Sequence, residues 1–411
     1  MKKRFFVKMT AILLLPFVVL TCIPIFASAS DTWWFAPILE AQMTMDREQE
    51  NGNDGVIRDS LKLDCKSAIL IEANTGKVLY EQNPDEALPP ASVTKIMTLL
   101  LVMEAIEQGK IGLDDQVSVS ERAAGMGGSQ IFLEVGETMS VEDMIKSVVI
   151  ASANDAACAL AEHVAGSEDA FVKAMNERAA ELGMKNTTFE NTNGLDDTAE
   201  HHLTSARDIA IMSAELIKHK KILEYSSIWM DTVRNGLFGL TNTNRLVRYY
   251  KGCTGLKTGS TAKAGFCISA TAERNGMHLV AVIMGSPTRD VRNAEAAKLL
   301  DFGFANYTVV DHTPEKLQNL KVLGGESESV AIKYDGFSFL TEKGSGGKVE
   351  YKITLPESIS APVKKGDRVG EIVFSCGGRE VGRADIVADG DVKRIGFFGV
   401  FWRMLGKSLM K

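Results

Sequence analysis

Two short apolar runs, Ser67-Ala-Ile-Leu-Ile-Glu-Ala73 and Lys77-Val-Leu-Tyr80, flank Asn74-Thr75-Gly76, and this pattern predicts a β-hairpin. After Pro89-Pro90 the chain carries Val93, Ile96, Met97, Leu99, Leu100, Val102, Met103 and Ile106 before Gly109. A helix over Ser92 to Glu107 with so little polar face belongs at the centre of its domain. Residues 141–164 read as helical material interrupted at Ala151-Ser-Ala-Asn-Asp155, and Asp169 to Leu182 and Ala206 to Lys218 as further helices. Ala264 to Ala272 and Met277 to Gly285 alternate as strands about Arg274-Asn275-Gly276, a strong hairpin signal, and a last helix is predicted over Asn293 to Phe302. Strands first and last with helices between them imply an α+β domain whose one antiparallel sheet is assembled from both ends of the segment.

From about Thr308 the pattern changes to short β-compatible runs separated by glycines: Ser329 to Tyr334, Lys348 to Leu355 and Val369 to Ser375. A small all-β domain over 308–390 follows from it. The last segment, 391–411, sets Ile395, Phe398, Trp402, Leu405 and Leu409 at spacings of three and four beside Lys393, Arg394, Arg403, Lys407 and Lys411. It is too short and too charged to span a bilayer, and it reads as a basic amphipathic helix lying on a membrane or docked on its own protein. At the other end, Met1-Lys2-Lys3-Arg4, an apolar stretch to Phe26 and Ala27-Ser28-Ala29 read as a secretory signal peptide over 1–29, with a retained anchor as the alternative. Residues 30–60, with the polar run Asp46 to Asp59, are expected to be a disordered spacer, which leaves 61–307 for the first folded domain.

Charge and cysteine usage narrow the function classes. The formal charge of the 411 residues is −7, and losing Lys2, Lys3, Arg4 and Lys8 with the leader would bring it to −11, which argues against nucleic acid as a partner. Five cysteines lie beyond the leader, at 65, 158, 253, 267 and 376, without C-x-x-C spacing and mostly within apolar runs. They read as buried free thiols, and no His/Cys cluster has zinc-ligand spacing, so no metal or other cofactor is implied.

Three short motifs come in order: Ser92-Val-Thr-Lys95, Ser152-Ala-Asn154 and Lys257-Thr258-Gly259. Ser-x-x-Lys recurs at Ser260 to Lys263 and at Ser408 to Lys411, but only the first copy follows a Pro-Pro turn and opens an apolar helix. Three residues along a helix bring two side chains onto one face, so the Lys95 amine can reach the Ser92 hydroxyl and act as its base if burial and a second cation, with Lys257 as the candidate, hold it neutral. The helix N-terminus adds positive potential near the serine. A polar Ser-x-Asn between apolar helical runs would bury hydrogen-bonding groups to no packing benefit unless it lines a cleft; Ser152 then relays a proton and Asn154 holds Lys95 and a substrate amide. Lys-Thr-Gly at the entrance of a strand puts a cation and a hydroxyl beside an edge to which an extended peptide could add. Singly, each motif also reads as ordinary capping or a plain turn.

Together, the motifs resemble those of the penicillin-recognising active-site serine proteins, with their β-lactamase-like fold of an antiparallel sheet and a helical cluster. The closer resemblance, over about residues 61–410, is to the low-molecular-mass penicillin-binding proteins that act as serine D-alanyl-D-alanine carboxypeptidases. It extends to Gly128-Ser-Gln-Ile-Phe-Leu-Glu-Val-Gly136, Asn193-Gly194-Leu195-Asp196, Thr204-Ser-Ala-Arg-Asp208 and Gly255-Leu-Lys-Thr-Gly-Ser-Thr261. The resemblance implies that Ser92 attacks the carbonyl between the last two D-alanines of peptidoglycan pentapeptide stems and is acylated by β-lactam antibiotics. It gives the oxyanion hole to the N–H groups of Ser92 and Ser260, the terminal carboxylate to Thr258 and Arg292 with Arg289 as a competitor, and a structural role to the loop of His201 and His202. It also implies an extracytoplasmic enzyme, peripheral on the outer face of the cytoplasmic membrane through the C-terminal helix. A class A β-lactamase would need a Glu-x-x-Leu-Asn loop, which Glu190-Asn191-Thr192-Asn193 does not match. A non-catalytic penicillin or peptide sensor is the other alternative, and loss of Ser92 or Lys95 would have signalled it. A zinc carboxypeptidase is disfavoured by six scattered histidines.

Overall fold

The computed structural model describes residues 61–196, 199–344 and 349–409, so the expected leader and spacer lie outside the described residues. In chain order the first part consists of β1 (Ser67–Glu72), β2 (Val78–Gln82), α1 (Lys95–Glu107), β3 (Gln116–Ser118), β4 (Thr138–Ser140), α2 (Val141–Ile150), α3 (Asn154–Ala165), α4 (Glu168–Glu181) and α5 (Ala206–Leu216). It continues with β5 (Met230–Val233), β6 (Phe238–Thr241), β7 (Cys253–Thr261), β8 (Gly265–Arg274), β9 (Met277–Ser286) and α6 (Arg289–Asn306).

Five of these strands form one antiparallel sheet in the order β2-β1-β9-β8-β7, with Ser67 opposite Met284, so the two ends of the segment meet at its centre as the pattern predicts. Successive side chains of a strand point to opposite faces. Ile69, Ile71, Val280, Val282 and Met284 pack into the core shared with α1, α2, α3 and α5. Ala68, Leu70, Leu279, Ala281 and Ile283 pack on the other face against Ala296, Leu299 and Leu300 of α6. Both faces are therefore covered, and this is why β1 and β9 read as nearly unbroken apolar runs. Helix α1 is buried along nearly all of its length, as its composition requires. Among the described helices five start at a hydroxyl cap: Ser120, ahead of the short helix Glu121–Ala124, Ser140, Ser167, Ser205 and Thr288 accept from the backbone three residues on, which satisfies an N–H that the helix itself cannot.

The second part holds β10 (Tyr307–His312), β11 (Leu320–Leu323), β12 (Ser329–Val330), β13 (Ile332–Lys333), β14 (Phe337–Glu342), β15 (Val349–Thr354), β16 (Ser358–Ser360), β17 (Arg368–Cys376), β18 (Arg379–Ala388) and α7 (Phe397–Leu409). The strands make three small sheets, ordered β10-β14, β12-β11-β16 and β13-β18-β17-β15. Val322, Val330, Ile332, Ile372, Phe374 and Ile386 form a core of their own. Phe397, Phe398, Phe401, Trp402 and Met404 of α7 are exposed. No helix among the described residues is long and apolar enough to cross a membrane.

Three expectations are corrected. The last helix of the first part begins at Arg289 and ends at Asn306, longer than 293–302, because its first turn is polar and is fixed by the Thr288 cap rather than by packing. Cys65, Cys253 and Cys376 are only half-buried, whereas Cys158 and Cys267 are fully buried, and none of the five is in a disulfide. Lys257-Thr258-Gly259 lies in the middle of the nine-residue β7, not at a strand entrance. Gly255 and the polar threonines hide that strand from an apolar pattern.

Candidate active site

Ser92 sits on a single 3-10 turn, Ala91–Thr94, which runs directly into α1 at Lys95, so the α-helix starts three residues later than the pattern suggests. Two glycines press on this turn. A Cβ at Gly194 would overlap the Ala91 carbonyl, and one at Gly259 would stand 2.8 Å from both Pro90 O and Ser92 N. Ala91 itself is held at φ 48°, in the left-handed region that non-glycine residues rarely adopt. Residues three apart in a 3-10 turn nearly eclipse one another, and Lys95 Nζ lies 2.9 Å from Ser92 Oγ.

Lys95 is completely buried, and its amine has two further partners: Asn154 Oδ1 at 2.5 Å and Asn193 O at 2.8 Å. Both are oxygens that can only accept. In the neutral form, with two N–H bonds and one lone pair, the amine would give its N–H bonds to these two acceptors and keep the lone pair for the one partner that can donate, the Ser92 hydroxyl. Burial, and after it the nearby Lys257 cation, holds the Lys95 pKa well below the ordinary lysine value.

Ser152 lies in the break between α2 and α3, and Asn154 is the first residue of α3. Ser152 is held at φ 65° in that break, an arrangement worth about 1–3 kcal/mol of strain. Asn154 donates from Nδ2 to Gly127 O at 2.6 Å, which fixes its amide with the oxygen toward Lys95. Facing Ser152 is β7, an outer strand of the sheet. Lys257 Nζ, also buried, donates to Ser152 Oγ at 2.9 Å and to Thr258 O at 2.8 Å. Burial first and the Arg292 guanidinium second bring the Lys257 pKa down to about 7. Thr258 donates to Thr243 Oγ1 at 2.8 Å. Arg292, on the first turn of α6, is buried and donates to Asn293 Oδ1, and burial followed by Arg289 lowers its pKa to about 10. Ser260, near the end of β7, is exposed, as is Arg289.

Residues 54–288 match a family profile described as D-alanyl-D-alanine carboxypeptidase, and residues 307–394 match one described as penicillin-binding protein 5, C-terminal domain. The chain is 43% identical to the D-alanyl-D-alanine carboxypeptidase DacF of Bacillus subtilis over 360 residues, 86% of this chain and 92% of that protein. The chain belongs to the D-alanyl-D-alanine carboxypeptidase family. It is thus a serine-type carboxypeptidase with a second domain of the penicillin-binding protein 5 kind. Its fold is similar to that of penicillin binding protein 5 from Haemophilus influenzae, with a TM-score of 0.71 and 32% identity over 81% of this chain and 98% of that one. Penicillin-binding protein D2 of Listeria monocytogenes, solved in a cefotaxime-bound form, matches with a TM-score of 0.55 and 34% identity over 59% of this chain and 98% of its own.

Several groups around the carboxypeptidase's site carry no motif. Asp155 is buried and accepts from the N–H groups of Ile131, Leu133 and Ala156, tying the 128–136 loop to α3 beside Asn154. The Asn193 acceptor of Lys95 is a backbone carbonyl, which no residue type announces. His202 is buried, with Nδ1 accepting from Glu190 N at 3.0 Å, so Nε2 carries the proton and donates to Thr94 Oγ1 at 2.7 Å. Thr94 in turn donates to Ala91 O at 2.8 Å. Burial lowers the His202 pKa to about 4, so the ring stays neutral and braces the turn that carries Ser92. His201, by contrast, is exposed.

Proposed function

We propose that Ser92 is the acyl-accepting nucleophile and that the substrates are peptidoglycan stem peptides ending in D-alanyl-D-alanine. The observation that carries this reading is the buried Lys95 amine, whose two N–H bonds have fixed acceptors and whose lone pair is left to Ser92 Oγ. Ser92 Oγ bonds to the carbonyl carbon between the two D-alanines while Lys95 takes the hydroxyl proton. The N–H groups of Ser92 and Ser260 stabilise the oxyanion. As the C–N bond breaks, the proton that Lys95 took passes through the Ser152 hydroxyl, which Lys257 supports at 2.9 Å, to the leaving amine, and Lys95 is neutral again. Free D-alanine departs, water attacks the ester and gives a proton to Lys95, and Ser92 Oγ leaves reprotonated.

The unpaired side of β7 takes the substrate as an added strand, with Lys257, Thr258 and Arg292 at its terminal carboxylate and Gly259 admitting the backbone. Strained β-lactams are attacked at the same carbonyl position, a reading supported by the cefotaxime-bound Listeria relative. We place the peptidase domain at 61–307 and the small β domain at 308–390, a division supported by the core that the β domain forms for itself, while its Val309 and Leu340 join the outer core of the sheet. Residues 1–29 act as the leader that carries the chain across the cytoplasmic membrane, and α7 rests on that membrane's outer face through its exposed aromatic side chains.

The test is release of free D-alanine from a peptide ending in D-alanyl-D-alanine. Release by the wild-type chain that is abolished in Ser92→Ala is the expected result; a folded Ser92→Ala chain that still releases D-alanine would remove Ser92 from the mechanism.

A further inference from the structure

The segment that offers Lys95 its backbone acceptor is held in place by a carboxylate far from any reacting atom. Glu168, the first residue of α4, is buried. Its Oε1 accepts from Thr192 N at 3.2 Å and from Thr192 Oγ1 at 2.7 Å. Its Oε2 accepts at 2.6 Å from Nε of Arg122, on the short helix Glu121–Ala124. The Thr192 carbonyl accepts from Thr98 Oγ1 at 2.6 Å, three residues beyond Lys95 on α1. Residue 192 is thus pinned on its N–H, its hydroxyl and its C=O. In the next peptide unit Gly194 N donates to Asn191 Oδ1 at 2.7 Å, while the Asn193 carbonyl faces Lys95 Nζ at 2.8 Å.

We infer that Glu168 is a positioning residue for acylation: by clamping Thr192 it fixes the Asn193 carbonyl that takes one N–H of neutral Lys95, and so turns the amine lone pair onto Ser92. The inference rests on Lys95 acting as the base. Glu168 touches neither Ser92 nor Lys95, and its charge is matched locally by Arg122. What reaches the lysine is therefore acceptor geometry rather than charge. Without the clamp the carbonyl is held through Asn191 and Thr98 alone, its place opposite the amine is less sharply fixed, and the lone pair is less closely confined to the serine. Misdirection of a reacting group on this scale slows a chemical step without weakening substrate binding.

The experiment compares Glu168→Gln, which keeps a carbonyl oxygen for Thr192, with Glu168→Leu, which keeps the bulk and removes both acceptors. Acylation by benzylpenicillin is measured per active site on the full chain, together with kcat and KM for D-alanine release and the Tm. In the Leu variant kcat and acylation should fall about 10- to 100-fold with KM nearly unchanged. The Gln variant should recover most of the rate although it, too, lacks the charged pair with Arg122. A folded Leu variant that acylates at the wild-type rate, or Gln and Leu variants slowed equally, would overturn the inference. If Glu168→Leu does not fold, Thr192→Val decides: a several-fold fall in kcat supports the clamp, and an unchanged kcat rejects it. A Lys95→Met chain run alongside separates the two ideas. If that chain still acylates, the base assignment fails; if it is dead while Glu168→Leu is fully active, only the role of Glu168 fails.

Discussion

At residue 259 the geometry leaves room for hydrogen and nothing larger, since an added methyl would lie 2.8 Å from Pro90 O and Ser92 N. Gly259→Ala should push β7 away from the Ser92 turn and slow penicillin acylation by about 100-fold, with the Tm little changed because the strand keeps its pairing to β8; acylation at the wild-type rate would show that the strand and the turn are less tightly coupled than this. Ser92 and Lys95 were legible in the sequence because an i, i+3 spacing on a helical segment has a local geometric meaning. Ser152 and Lys257 are 105 positions apart, and only their motifs hinted that they meet. Glu168, Asp155 and the Asn193 carbonyl were not legible. The first two are common acidic residues, Asp155 with backbone N–H partners and Glu168 with partners 24 and 46 positions away, and the third is backbone itself.

Elements with a continuous apolar pattern show in the sequence, and those stabilised by pairing alone do not. Helix α1 and strands β8 and β9 carry their burial in their side chains. The ribbons β3–β4 and β5–β6 are three or four residues per strand, and no apolar run distinguishes them. Helix α7 shows the reverse situation, a clear amphipathic pattern whose apolar face the described fold leaves exposed at Phe397, Phe398, Phe401 and Trp402. Its neighbouring chain is tied to the β domain by Ile395 N to Gly324 O, and Arg403 reaches Glu326 O at 2.7 Å. The chain from residue 61 onward should co-sediment with anionic lipid vesicles and lose that binding in a Phe398→Glu/Trp402→Glu double variant while D-alanine release persists. Equal binding by both proteins would remove α7 as the anchor.

For the whole molecule, the site's chemistry opposes its stability. Lys257 has a pKa of about 7 when folded, against about 10.4 for a free lysine in the unfolded chain. Between those values the unfolded chain binds more protons, so this group makes stability rise with pH across that window; below about 7 its full destabilisation is present. Lys95 acts in the same direction. Lys257→Met should therefore raise the Tm near pH 7, by about 2–4 °C for each kcal/mol recovered, with the gain shrinking toward pH 10 and activity lost. A variant less stable than wild type at pH 7 would contradict the sign. The domain-scale plan, a sheet built from both ends of the first part followed by a small β domain, was visible in the order of patterns. The division of the second part into three sheets, including the parallel pair β11 and β16, was not, because such pairings join segments that share no local signal.

The claim on which the mechanism stands is that Ser92 becomes the ester. The most direct measurement is intact and peptide mass spectrometry of the protein after exposure to benzylpenicillin, with Ser92→Ala and Ser152→Ala chains treated in parallel. A single penicilloyl adduct on the peptide containing Ser92, absent from Ser92→Ala and formed more slowly in Ser152→Ala, is the predicted result. An adduct on any other residue, or one that persists in Ser92→Ala, would contradict it.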